Sequence, residues 1–149
     1  MTGVRRYEDL FAWQLADRFK QNVFKLVSES PLASRNFRYR DQLLEASADV
    51  SKDICEGFLR CSPLVFANFL DYALGSLAEA ETRLRDGVER GYFHDVACNE
   101  AFRLAKRCGR ATLGLKQSQI KYAAEKRQSR KDENSQVPRT RRTRRTRRT

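Results

Sequence analysis

Apolar residues recur every three or four positions through most of this chain, and that period fits helices rather than strands. Over 8–29, Leu10, Trp13, Ala16, Phe19, Val23 and Leu26 form one face, which Phe11, Leu15, Phe24 and Val27 widen. Glu8 and Asp9 sit in the first turn, where the helix dipole favours acids. Ser30-Pro31 ends the segment, because the residue before proline is pushed out of helical geometry. A loop is expected over 30–36. A second helix is predicted over 38–60 on the stripe Leu43, Ser47, Val50, Ile54 and Phe58. Ser62-Pro63 reads as N-cap and first residue of a third helix. Its stripe runs Phe66, Leu70, Ala73, Leu77, Ala80, Leu84 and Val88, and Gly91 caps it. A fourth begins near Asp95, with Ala97, Ala101, Leu104, Cys108, Ala111 and Leu115 on one face, and is expected to fray onward through 121–130. Helices of similar length on short loops predict an all-α fold, an antiparallel up-down-up-down four-helix bundle over 1–118. Small residues at 46–48 and 73–80, Gly75-Ser76 included, predict a close helix crossing.

The chain is strongly basic, with 30 Lys+Arg against 19 Asp+Glu, but the excess is local. Residues 1–118 hold 18 basic and 16 acidic side chains, whereas 119–149 hold 12 and 3. From Pro138 the sequence is an Arg-Arg-Thr repeat with no apolar residue. Such a segment buries nothing to offset its ordering entropy, so 119–149 is expected to be a disordered basic tail.

Several chemistries are excluded by the inventory. His94 is the only histidine, which leaves a Ser-His-Asp or Cys-His site little to build on. No acid lies three residues before it, so the Glu-x-x-His pairs of di-metal bundles are missing. Cys55, Cys61, Cys98 and Cys108 form no C-x-x-C pair, and the glycines make no phosphate-binding loop. No catalytic residue, metal ligand or cofactor is therefore expected, and the protein reads as a non-enzyme. No apolar run approaches the roughly 20 residues of a membrane span. The N-terminal stretch carries acids where a signal peptide is apolar. A cytoplasmic protein with reduced thiols is expected.

Two charged constellations remain. Asp41, Glu45, Asp49 and Asp53 share one face of the second helix at i, i+4 spacing, a mildly unfavourable arrangement. It reads either as a solvated face or as a site for a cation or a basic partner. The stronger signal is cationic. Arg139, Arg141, Arg142, Arg144, Arg145, Arg147 and Arg148 are forked cations suited to phosphate oxygens. On the fourth helix, Arg103, Lys106, Arg107 and Arg110 form a second basic cluster. It fits a phosphate-binding face and a solvated face equally well.

The motifs also resemble a known family. Residues 11–16, FAWQLA, resemble the VWQ-x-A opening of the four-helix-bundle proteins encoded in intervening sequences of bacterial 23S ribosomal RNA genes. Gln42-Leu43 followed by 53–60, DICEGFLR, resembles that family's QL…NIAEG…R segment. Residues 69–79 resemble FL-x-x-A-x-GSL-x-E, and Gly91-Tyr92 matches the usual GY helix end. The resemblance spans about residues 7–117. It implies a four-helix bundle assembled as a homopentamer, with no known catalysis. It also implies kinship with the accessory protein of diversity-generating retroelements, which binds nucleic acid and a reverse transcriptase. Leu44 and Glu45 stand where the family has a basic pair, and Asp53 stands where it has Asn. Both departures build the acidic stripe and move the expected nucleic-acid surface to the fourth helix and tail. The reading is an oligomeric binder of RNA or DNA, with RNA favoured. The alternative is a protein-interaction adaptor that docks a reverse transcriptase.

Overall fold

A computed structural model describes residues 3–136. Among the described residues there are helices and no strands. They are α1 (Phe11–Glu29), α2 (Pro31–Arg35), α3 (Phe37–Phe58), α4 (Pro63–Glu89) and α5 (Asn99–Gln136), with 3-10 turns at Tyr7–Asp9 and Val96–Cys98.

The expected loop at 30–36 is largely α2. Ser30 caps it by accepting from the Ala33 N–H at 3.2 Å, with Pro31 in the first turn. This is the grammar that starts α4, where the Ser62 hydroxyl accepts from the Val65 N–H ahead of Pro63. Asn36 then caps α3 through the Tyr39 N–H. At the other end of α4, Gly91 adopts φ +76°, a conformation open to glycine. The Gly91 and Tyr92 N–H groups bond back to Val88 and Gly87, closing the last turn.

The long helices meet in a cycle, α3 with α4, α4 with α5, α5 with α1 and α1 with α3. The stripes supply the filling: Leu15, Phe19 and Val23 from α1, Leu43, Val50 and Ile54 from α3, Leu70 and Leu84 from α4 are at most 1% exposed. Each large side chain so buried contributes about 1.5–3 kcal/mol. From α5 come small residues, Ala101, Ala105 and Cys108. The Cys108 thiol faces the Ala12 carbonyl at 3.8 Å, and burial pushes its pKa up to about 11. Two expected members of the α1 stripe, Phe11 and Phe24, stand exposed instead.

The expected close crossing at Gly75-Ser76 is corrected. Gly75 is exposed, and a Cβ there would meet nothing within 4 Å. The tight approaches are at Gly57, against Phe66 and Phe69, and at Gly87, against the Tyr39 hydroxyl and the Phe93 ring. Gly87 faces α3 across the seam, whereas Gly75 lies on the outer side of α4.

The last helix runs past residue 118, as the expected fraying through 121–130 allows, and further still. α5 continues to Gln136, and Gln119 and Ala123 are buried. Extension of a helix already anchored by packing avoids the nucleation cost that a free polar segment faces. Every residue over 124–136 is exposed. Gln128 and Asp132 pair at i, i+4. Residues 137–149 of the expected disordered tail lie outside the described residues.

The acidic stripe is divided by its surroundings. Asp41 pairs with Arg40 at 2.9 Å and Asp49 with Lys52 at 2.7 Å. Among the described residues no group of His, Cys, Asp or Glu could hold a metal ion. Asp53 turns into the α3/α4 seam, where its carboxylate meets the Ser76 hydroxyl at 3.4 Å. Burial raises its pKa against the pull of Lys52, with Asp49 and Glu56 adding to the rise.

Three outcomes follow for stability. Gly87→Ala should destabilise the protein by about 1–3 kcal/mol through overpacking against Tyr39 and Phe93. Gly75→Ala should stabilise it by about 0.5–1 kcal/mol through helix propensity. Urea denaturation reads both. A carboxyl whose folded pKa is raised binds protons more tightly in the native state. Its penalty is therefore absent below the ordinary carboxylate range and complete above the folded pKa. Asp53→Asn should then raise the urea midpoint at pH 7 and lose that advantage as pH falls below about 4.

Candidate nucleic-acid interface

The face of α5 opposite Ala101, Ala105 and Thr112 carries Arg103, Lys106, Arg107, Arg110 and Lys121. No acid occurs over 101–124, so the outer side of this helix is a run of positive charge about 27 Å long between Arg103 and Lys121. The sequence-predicted cluster thus lies on one face, but its members are not equivalent. Arg103 is held by Glu100, with contacts of 2.7 and 2.9 Å to the two carboxylate oxygens. Those bonds lower the Glu100 pKa, so its charge is fixed and Arg103 largely neutralises it. Lys106 and Arg110 are exposed, with no ion pair among the described residues. Arg107 lies half-buried with its guanidinium 5.8 Å from the centre of the Phe11 ring. The seven tail arginines, from Arg139 to Arg148, lie outside the described residues.

The structure adds cations from α1 that the sequence reading missed. Arg18 and Lys25 line a groove of about 360 Å³ between α1 and α5, together with Gln21, Asn22, Glu100 and Leu104. The charges of Arg107 and Arg18 add to that of Arg103 in lowering the Glu100 pKa. The available signal was local: Phe11, Gln14, Arg18, Gln21 and Lys25 follow a helical spacing on the side of α1 away from Phe19 and Val23. What no local pattern shows is that this face borders Arg103 and Arg107, some 80 residues later.

Chemically, the groove lining offers the Arg18 guanidinium fork and the Lys25 ammonium group, with the α5 cations on the adjoining helix. It can engage phosphate oxygens by charge-assisted hydrogen bonds. His94 is exposed between α4 and the Val96–Cys98 turn, away from this groove's lining.

No curated protein matches the chain. A family model does, over residues 8–114, described as the 23S rRNA-intervening sequence protein. The match runs from the 3-10 turn ahead of α1 into α5 and ends before the exposed extension. It covers most of the chain, including Gly57, Gly91 and the packed length of α1, α3 and α4. This chain belongs to the 23S rRNA-intervening sequence protein family.

Proposed function

We propose that this protein is a non-enzymatic, phosphate-driven binder of nucleic acid, with RNA as its ligand class. In this reading its long helices form an antiparallel up-down-up-down four-helix bundle. Copies of it assemble in the cytoplasm as a homo-oligomer, for which a pentamer is what the family resemblance implies. The observation that carries the reading is the acid-free outer face of α5, which leads without interruption into a segment of 12 basic and 3 acidic residues over 119–149. A family description tied to intervening sequences of ribosomal RNA is compatible with it.

In this reading the bundle and the tail do different work. The surface cations Arg18 and Lys25 of α1 and Lys106, Arg107 and Arg110 of α5 orient a bound strand, and the terminal arginines supply most of the attraction. Oligomerisation would multiply such weak contacts by raising their effective concentration.

Binding of labelled RNA and DNA by the full-length protein, followed by anisotropy across a salt series, tests this. Removal of residues 137–149 should lower the steepness of log affinity against log salt by about 5 if all seven arginines contact a single strand. The double change Lys106→Glu, Arg110→Glu should weaken binding without altering the helical circular dichroism. Failure of the full-length protein to bind either nucleic acid at low salt overturns the proposal.

A further inference from the structure

We propose that the free end of α5 is a docking arm for duplex RNA, whose phosphate backbone lies on the face formed by Lys126, Arg127, Arg130 and Lys131. This deepens the nucleic-acid reading above and rests on it.

The face is fixed by helical phase. Buried Ala105, Cys108, Thr112, Gln119 and Ala123 mark the side of α5 that is turned toward the other helices. Lys126, Arg127, Arg130 and Lys131 stand three, four, seven and eight residues after Ala123, so they continue that side. All four are exposed, because the bundle has ended. One line of the helix thus changes from buried to cationic at the point where it leaves its neighbours. The opposite line changes the other way. It is cationic from Arg103 to Lys121 and then carries Glu125 and Asp132. Glu133 sits at the margin of the basic face.

Helix stability does not account for this order. Lys126 with Arg130, and Arg127 with Lys131, are like charges at i, i+4, which weaken an exposed helix. None of the four makes an ion pair among the described residues, although three acids lie on the same stretch. The Lys126 ammonium stands instead 5.9 Å from the centre of the Tyr122 ring. A polyanion laid along the face removes that repulsion and releases its own counterions as it does so.

Position and composition favour a duplex. α5 leaves the bundle past the start of α1 and the first turns of α4, with Cys108 against Ala12 and Lys116 paired to Asp71 at 2.6 Å. At that end Arg5, ahead of α1, and Arg60, after α3, are exposed. Arm and bundle end therefore form a corner with cations on both walls. The four positions of the face carry charge and no ring on which an unstacked base could lie. Single strands are held through such rings, whereas duplex RNA is held by its shape and backbone.

Anisotropy with the full-length protein, a labelled RNA duplex and a single strand of the same length tests the arm across a salt series. The combined change Lys126→Gln, Arg127→Gln, Arg130→Gln and Lys131→Gln should lower the steepness of log affinity against log salt for the duplex by about 3–4, from about 0.9 per phosphate contact. Insertion of one alanine after Ala124 removes no charge but turns the face by about 100°. It should also weaken the duplex, whereas insertion of four alanines, a turn of about 40°, should weaken it less. Circular dichroism should show retained helix in every variant, since no buried side chain is altered. Wild-type duplex binding by the glutamine variant or the one-alanine variant overturns the inference while the phosphate-driven reading stands. Equal losses in the two insertion variants overturn the orientation of the face. Losses as large for the single strand as for the duplex overturn the assignment to a duplex. Failure of the full-length protein to bind either RNA overturns both proposals together.

Discussion

Tyr39 reaches from α3 to donate its hydroxyl to the Arg83 carbonyl of α4 at 2.6 Å, and it has room to do so because position 87 has no side chain. Burial, aided by Asp86, raises the Tyr39 pKa, so the hydroxyl stays a donor. Around this contact the two inter-helix segments at one end of the molecule are tied together. Tyr92 packs edge-on to Tyr39 at 5.0 Å, accepts from the Asn36 side chain at 2.8 Å and offers its carbonyl to the Ser30 hydroxyl at 2.7 Å. Ser30 and Asn36 are themselves the caps of α2 and α3. The same side chains therefore start two helices and fix them against the end of α4. That linkage holds the end of α1 against the segment that leads from α4 toward α5.

Much of this architecture is written locally. The stripes of α1, α3 and α4 name their own core residues, and Ser-Pro and Gly91 punctuate them by chemistry that depends on a few neighbours. The failures share a different cause. α2 was hidden because Ser30-Pro31 reads as a stop, although a serine before proline caps the next helix as readily as it ends the last. Gly75 was misassigned because small residues indicate that backbones could approach, not which side of the helix faces another. Gly57 and Gly87 carry that contact, and only the register of α3 on α4 distinguishes them from Gly75.

The candidate interface was half legible for a similar reason. Arg103, Lys106, Arg107 and Arg110 are neighbours on one helix, so spacing alone gathers them. Their ranking depends on partners: Glu100 occupies Arg103, and Phe11 engages Arg107. Arg18 and Lys25 join them only through the packing of α1 on α5. The acidic stripe shows the converse, since helical spacing gathers four carboxylates that the fold then treats separately. Asp41 and Asp49 are matched by adjacent cations, and Asp53 is drawn into a seam.

The unequal length of the helices has an electrostatic consequence. α5 continues 13 residues beyond Ala123, its last buried position, so Gln136 stands about 20 Å further along the axis. The screening length at physiological ionic strength is about 8 Å. A charge attached at that end is separated from the carboxylates of α3 by more than two screening lengths. The helix thus works as an insulating spacer. A charge at Gln136 is therefore screened from the acidic side of α3 and acts on what approaches from solution.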